Sequence, residues 1–191
     1  MKKGLLIILS GPSGVGKNCV RQEIVKMNKI EFTYSISMTT RAKRDKEVDG
    51  QDYYFVSDEE FQKNIDSDNF LEWASFVGNK YGTPKDKVEE LRNAGKNVFL
   101  EIEINGATQV LSQVHDDRVI SFFLMPPSVA ALEKRIRKRQ TETEEIIQER
   151  LQKGIKEMSM TEHYDHIIIN DKVERAAQEI VDLIKKKLRK R

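Results

Sequence analysis

The run Gly4-Leu5-Leu6-Ile7-Ile8-Leu9-Ser10 feeds directly into Gly11-Pro12-Ser13-Gly14-Val15-Gly16-Lys17. No other stretch constrains the chain as strongly. A continuous apolar run that ends in glycines predicts a buried parallel strand over residues 4–10. Val20, Ile24, Val25 and Met27 predict a helix over 17–28. A strand, a glycine-rich turn and a helix in succession aim several backbone N–H groups at one anion, and the helix N-terminus adds partial positive charge. Gly11, Gly14 and Gly16 leave room for phosphate oxygens to approach the backbone, and Lys17 brings a mobile cation. The plain alternative is a glycine turn between two elements. The lysine, with a strand before and a helix after, favours a nucleotide phosphate loop. Asn18 stands where such loops carry the serine or threonine that meets Mg²⁺, and Cys19 is next in the chain. An amide carbonyl is a hard ligand on a longer arm, whereas sulfur suits softer metals. The phosphate cradle is complete and its metal arm is unusual.

Further strands are predicted at 97–104, 118–125 and 166–170, and helices at about 128–139, 142–158 and 172–188. Ser57-Asp58-Glu59-Glu60 reads as a capping box. Thr83-Pro84 offers an N-cap followed by proline at the first helical position, and Gly95 closes that helix. Strands alternating with helices predict an α/β fold of the P-loop type, a parallel sheet flanked by helices. Residues 32–82 differ, with short strand-like pieces near 34–38, 53–56 and 70–77, and predict an α+β insertion. The charged helices over 128–158 predict a second, smaller one.

The 191 residues, 38% hydrophobic and 34% charged, suffice for one packed core with a charged surface. A net charge of +2 gives no global field for nucleic acid, and no apolar run is long enough to span a membrane. Lys185 to Arg191 are basic, which attracts RNA or anionic lipid or simply complements the negative end of a helix. The single Cys19 excludes a disulfide framework and a multi-cysteine zinc site. Met1-Lys2-Lys3 is basic, but the apolar stretch behind it is short and runs into the glycine loop, unlike a signal peptide. A cytoplasmic setting is expected.

Arg41 and Arg44 lie three apart, and two guanidiniums are compatible when an anion sits between them; a solvated basic loop is the alternative. Tyr53 and Tyr54 would face opposite sides of a strand, so that one hydroxyl could join a phosphate group or both rings could pack. Glu72, in the apolar stretch Phe70-Leu71-Glu72-Trp73, needs a partner. That partner is a cation or the N1–H and N2–H₂ edge of guanine; adenine would leave the carboxylate unpaired. Glu101 and Glu103 share one side of a strand near its carboxyl end, where α/β sheets gather ligands. They organise Mg²⁺ through water or form structural salt bridges. The arginines in residues 134–150 serve phosphoryl transfer from a mobile flap or lace an exposed helix pair.

In this order the pieces resemble the guanylate kinases, which phosphorylate GMP from ATP. The resemblance runs through G-P-S-G-V-G-K at 11–17, S-x-x-T-T-R-x-x-R ending at Arg44, E-V-x-G-x-D-Y-x-F at 47–55 and F-x-E-W at 70–73. It continues through Y-G-T at 81–83, L-E-I-x-x-x-G-A at 100–107, P-P-S at 126–128, T-E-T-E-E at 141–145 and I-x-N-D at 168–171. It implies a core of 1–34, 84–126 and 159–191, a GMP-binding insertion at 35–83 and a lid at 127–158. ATP would meet Gly11, Pro12, Ser13, Gly14, Val15, Gly16, Lys17, Asn18 and Cys19, with Arg139 and Asn170. GMP would meet Ser37, Arg41, Arg44, Tyr53, Glu72, Tyr81, Thr83 and Glu101. Lys17, Arg41, Arg44, Arg139 and Arg150 would carry catalysis. Mg²⁺ would arrive with ATP near Asn18 and Glu103, directly or through water. The chain departs from the family pattern at Asn18-Cys19, at Glu103 in place of aspartate and at Gln140 in place of glycine. The first two bear on the metal, the third on the lid, and none on GMP.

An enzyme acting on the small molecules GMP and ATP is therefore expected, without a nucleic-acid or membrane partner and with the choice of monomer or homo-oligomer open. A peptide-binding module of the same fold would be expected to lose Lys17 and the loop glycines, which are present. A small-molecule kinase with another acceptor lacks a reason for Glu72 beside Ser37 and Thr83.

Overall fold

A computed structural model describes residues 2–138 and 143–189. In chain order the elements are β1 (Leu6–Ser10), α1 (Lys17–Met27), β2 (Thr33–Tyr34), β3 (Met38–Thr39) and β4 (Tyr54–Phe55). Then come α2 (Asp58–Asp66), β5 (Phe70–Phe76), β6 (Asn79–Pro84), α3 (Lys85–Asn93), β7 (Val98–Glu101) and α4 (Ile104–Gln113). The chain closes with β8 (Val119–Met125), α5 (Val129–Arg137), α6 (Glu144–Glu157), β9 (His166–Ile169) and α7 (Val173–Arg189). These elements gather into two compact units.

One unit holds Ile7–Glu31, Glu101–Ile104 and the described residues from Val119 onward. Every residue of β1 is buried, as its unbroken apolar sequence requires. β8 lies beside β1 and pairs in parallel with β9, Phe122 opposite His166 and Met125 opposite Ile169. Ser128 caps α5, its Oγ accepting the Ala131 N–H at 3.1 Å. In α7, Ala176, Ala177, Ile180, Val181 and Ile184 are buried, one apolar stripe at helical spacing. Leu132 and Ile136 of α5 pack with Ile147 and Leu151 of α6 in a small separate core.

The other unit holds the residues up to Leu6, Phe32–Leu100 and Asn105–Arg118. Here β2 pairs in parallel with β7, Thr33 opposite Val98. A separate four-stranded sheet has the order β4-β3-β6-β5, with β3 and β4 parallel and β6 antiparallel to both β3 and β5. β5 and β6 form a hairpin through Val77 and Gly78, whose φ values of 48° and 73° suit the two-residue turns that match strand twist. Between Phe70↔Pro84 and Glu72↔Thr83 the register slips by one residue on β5, a bulge. Ser57 caps α2, its Oγ accepting the Glu60 N–H at 3.2 Å, as its capping-box sequence predicts.

Three local expectations are corrected. The strand expected over 97–104 stops at Glu101, and the helix α4 begins at Ile104. Thr83 is not an N-cap: it lies in β6, and Pro84 takes the cap position of α3. The strand-like piece expected near 34–38 divides: Thr33–Tyr34 pairs in parallel with β7, and Met38–Thr39 belongs to the four-stranded sheet.

Candidate functional site

The glycine loop occupies the turn from β1 to α1. Gly16 is the N-cap of α1 with φ 99°, and a Cβ there would lie 2.8 Å from Asn170 Nδ2. A Cβ on Gly11, at φ 146°, would lie 2.4 Å from the Leu124 carbonyl oxygen. Both positions need glycine on conformation and on space. Lys17 opens α1 and donates from Nζ to the carbonyls of Gly11 (2.6 Å) and Pro12 (3.3 Å). Burial lowers its pKa from 10.5, opposed by Glu103, Glu101 and Glu157 in that order. The ammonium is thus desolvated and lies against the loop, available to a phosphate that offers stronger acceptors than neutral carbonyls.

Ser13 is held from α6. Its N–H donates to Glu157 Oε2 at 3.4 Å, and its Oγ accepts from Arg150 Nη2 at 3.1 Å. The Val15 carbonyl accepts from Asn170 Nδ2 at 2.8 Å and from Arg135 Nη1 at 2.9 Å. Arg135 Nη2 also donates to the Asn170 carbonyl at 2.6 Å. Asn170 is 1% exposed, and its Oδ1 is a buried acceptor with no hydrogen-bond partner among the described residues. Pro12, Gly14 and Val15 complete the loop. Arg139 lies outside the described residues.

The candidate metal donors are engaged with cations. Asn18 Oδ1 accepts from Arg21 Nη2, and Arg21 Nε also meets Glu101 Oε2 at 2.7 Å. Glu103 faces Lys153 Nζ at 3.4 Å. Cys19 is exposed, with a free thiol. No cluster of three or more His, Cys, Asp or Glu suited to a metal occurs among the described residues. Asn18, Glu101 and Glu103 bring hard oxygen donors, the type Mg²⁺ takes, and Mg²⁺ usually keeps several waters and leans on substrate phosphates.

The second group of candidates belongs to the unit with the four-stranded sheet. Arg41 Nη2 donates to Glu47 Oε1 at 2.7 Å, while Nη1 donates to Glu47 Oε2 at 3.0 Å and to the Ala42 carbonyl at 2.7 Å. Its Cζ lies 5.5 Å from the Tyr53 ring centre and 5.6 Å from that of Phe55, within cation–π reach. Tyr53 and Tyr81 meet edge to face at 6.1 Å. The Glu47 hydrogen bond, foremost, raises the pKa of Arg41, with the Tyr81 phenol adding to it. Glu47 in turn is held down at about 2, first by Arg41 and then by the Arg44 backbone N–H, which reaches Glu47 Oε2 at 2.9 Å. The Arg44 side chain is exposed. Ser37, just before β3, accepts the Tyr54 N–H on its carbonyl at 2.9 Å.

Glu72 sits on the bulged strand and accepts the Thr83 hydroxyl on Oε1 at 2.5 Å. Burial raises its pKa above 4.5, only partly offset by Thr83. The small residue Gly106 on α4 lets the carboxylate in: a Cβ there would stand 2.9 Å from Glu72 Oε2. Tyr81 and Thr83 are two apart on β6, so they share one face about 6.7 Å apart. That face carries a carboxylate–hydroxyl pair at one position and a tyrosine beside an oriented guanidinium at the other.

Glu47, Arg21, Arg135, Lys153 and Glu157 join these groups without a place among the residues expected from sequence. Arg21 carries a local signal, since position i+3 from Asn18 lies on the same helical face. Glu47 belongs to the motif at 47–55, but nothing in its neighbours marks it as the partner of Arg41.

A family model described as guanylate kinase matches residues 3–187. A curated guanylate kinase of Mesoplasma florum is 50% identical over 182 residues, 95% of this chain and 61% of that protein. One of Bacillus cereus is 49% identical over 183 residues, 96% of this chain and 88% of that protein. The chain thus spans less than two thirds of the Mesoplasma relative's length and most of the Bacillus one. The crystal structure of guanylate kinase from Anaplasma phagocytophilum matches with a TM-score of 0.70 at 31% identity, covering 100% of this chain and 89% of that one.

Proposed function

The chain belongs to the guanylate kinase family, and we propose accordingly that it transfers the γ-phosphoryl group of ATP to GMP, giving ADP and GDP. The observation that carries the acceptor assignment is the half-buried Glu72, bonded to Thr83 on the strand face that also bears Tyr81. A carboxylate offers about four acceptor positions, so Thr83 leaves room for the N1–H and N2–H₂ of guanine. Adenine has no such pair of donors and would leave the acid desolvated and unpaired. The GMP phosphate would take Arg41, Arg44, Tyr53 and Tyr81, with Ser37 beside the base.

ATP would lie in the glycine loop, with Lys17 leaving the Gly11 and Pro12 carbonyls for its phosphates. Asn170 Oδ1, a buried acceptor in want of a donor, suits the exocyclic amine of adenine. In line with the expected division of the chain, residues 35–83 would hold the acceptor and 127–158 would close as a lid carrying Arg139 and Arg150. Asn18 and Glu103, with Glu101, would hold Mg²⁺ through water. When bound, the ion supplies positive charge to the phosphate oxygens. A phosphate monoester oxygen is already nucleophilic at neutral pH, so no general base is required. Lys17, Arg41, Arg44, Arg139 and Arg150 would position the two phosphates and offset the charge spread over the moving group.

No helix among the described residues is long and apolar enough to cross a membrane. A cytoplasmic location accords with the single exposed thiol of Cys19. The test is a coupled ADP-release assay with ATP and magnesium, offering GMP, AMP, UMP and CMP in parallel. ADP release dependent on GMP, and at least tenfold slower with the other three, supports the proposal. Equal rates with AMP, or release without any acceptor, refutes it.

A further inference from the structure

Glu47 is given no role in the proposed reaction, yet it accepts three hydrogen bonds, two from the Arg41 guanidinium and one from the Arg44 backbone. An arginine has five N–H donors. Arg41 spends both protons of Nη1, one on the Ala42 carbonyl and one on Glu47 Oε2, and one proton of Nη2 on Glu47 Oε1. The other two, the Nε–H and the second Nη2–H, are taken by neither Glu47 nor Ala42, and the Tyr81 phenol also hydrogen-bonds to this guanidinium. Those two protons lie on the lateral edge of the planar group and form a second fork of the geometry that grips two phosphate oxygens. The same carboxylate accepts the Arg44 N–H at 2.9 Å, and the Glu47 N–H donates to the Arg44 carbonyl at 3.0 Å, closing the turn from both sides. One acid therefore fixes the guanidinium of Arg41 through its side chain and the backbone of Arg44 through the turn. The Arg41 and Glu47 side chains keep only 16% and 17% of their surface exposed, so neither swings freely in solvent.

The geometry points to Glu47 as the positioning residue of the acceptor-phosphate subsite: it occupies the end-on fork of Arg41 so that the lateral fork is presented beside Tyr53 and Tyr81. Two effects of the carboxylate oppose each other. Its charge repels an incoming phosphate, and its hydrogen bonds hold the arginine in one rotamer. The pair at Arg41 is short and bidentate, whereas the repulsion acts across a guanidinium that lies between the two anions. Orientation outweighs repulsion, and loss of Glu47 weakens phosphate capture. Protonation does not release the arginine in ordinary buffers, because Arg41 holds the acid at about 2.

The inference rests on GMP being the acceptor, and the test keeps the two apart by comparing GMP with guanosine, which shares the base and lacks the phosphate. Calorimetric titration of the wild type should show GMP binding at least tenfold more tightly than guanosine. Equal affinities, or no binding of either, would refute the acceptor assignment itself. With that preference established, Glu47→Gln should weaken GMP at least tenfold while guanosine and ATP change less than twofold. In turnover, KM for GMP should rise more than kcat falls. Glu47→Asp keeps the charge but shortens the reach, and should weaken GMP in the same direction; it carries the test if the glutamine variant does not fold. A preserved GMP-to-guanosine ratio in a folded variant, an equal loss for both ligands, or tighter GMP binding overturns the inference and leaves the acceptor assignment standing.

Discussion

Glu72→Gln is the substitution for which the structure predicts opposite signs in binding and stability. Glutamine is nearly isosteric and keeps one carbonyl acceptor for the Thr83 hydroxyl, now 2.5 Å from Glu72 Oε1. It replaces the other oxygen with an NH₂ group. Facing guanine, that amide meets the N1–H and N2–H₂ donors with donors of its own. A hydrogen bond to a charged acceptor contributes about 1.5–3 kcal/mol, and a buried group left unpaired costs about 1–3 kcal/mol. The sum, about 3 kcal/mol or more, corresponds to a loss of GMP affinity on the order of 10²-fold or greater. ATP, whose proposed place is the glycine loop, should be unaffected. AMP should improve, since the amide can donate to adenine N1 and accept from its amine. Stability should move the other way. The folded-state pKa of Glu72 is raised above 4.5, chiefly by burial. A raised acid favours the fold when protonated, and that stabilisation is present below the unfolded pKa and lost as pH rises through the folded one. At pH 7 the wild type holds a desolvated carboxylate, and glutamine removes that cost. Calorimetric titration with GMP, AMP and an ATP analogue, together with thermal melts at pH 7, checks both signs. Equal losses for GMP and ATP, or a GMP affinity within twofold of wild type, would refute the guanine-reading role.

Gly106→Ala places a methyl 2.9 Å from Glu72 Oε2 and 3.2 Å from its Cδ; steady-state kinetics should show KM for GMP raised roughly tenfold with KM for ATP unchanged. Gly16→Ala forces a side chain into φ 99° and against Asn170 Nδ2, a strain of about 1–3 kcal/mol; nucleotide titration should show ATP affinity reduced at least tenfold with GMP affinity intact. Asn18→Ser trades an amide bonded to Arg21 for a hydroxyl; turnover at limiting magnesium should hold or rise, and a clear drop would mean the amide is the better neighbour for the metal. Guanosine has no phosphate to titrate, so its affinity should fall tenfold per pH unit once Glu72 protonates, above 4.5, while Glu47 stays ionised down to about 2; affinity constant down to pH 4 would contradict the raised pKa of Glu72.

The parts of the molecule legible in sequence are those set by local order. The Leu5–Leu9 run, the three loop glycines and the stripe along α7 each announce a strand, a turn or a helix within a few residues of chain. Two features escape for a physical reason. The alternation in Leu100-Glu101-Ile102-Glu103-Ile104 continues the strand pattern past its end, so the start of α4 at Ile104 is hidden. Periodicity cannot signal a helix whose first residue also fits the preceding strand. The bulge at Phe70–Glu72 is a one-residue change of register, set by pairing with β6 and invisible in β5 alone. It lets Leu71 and Phe70 both be buried while Glu72 meets Thr83. Charge pairing is the least legible. Arg41 and Arg44 in a polar loop look solvated, and only the fold of residues 41–47 shows that one carboxylate ties them together.

Product analysis with ATP labelled with ¹⁸O on its γ-phosphoryl group tests the central claim most directly. In an equimolar mixture of GMP and AMP with magnesium, mass spectrometry should find the label in the β-phosphoryl of GDP, matched by an equal amount of ADP formed from the labelled ATP. Label released as inorganic phosphate, or shared equally between GDP and a labelled product of AMP, would contradict it.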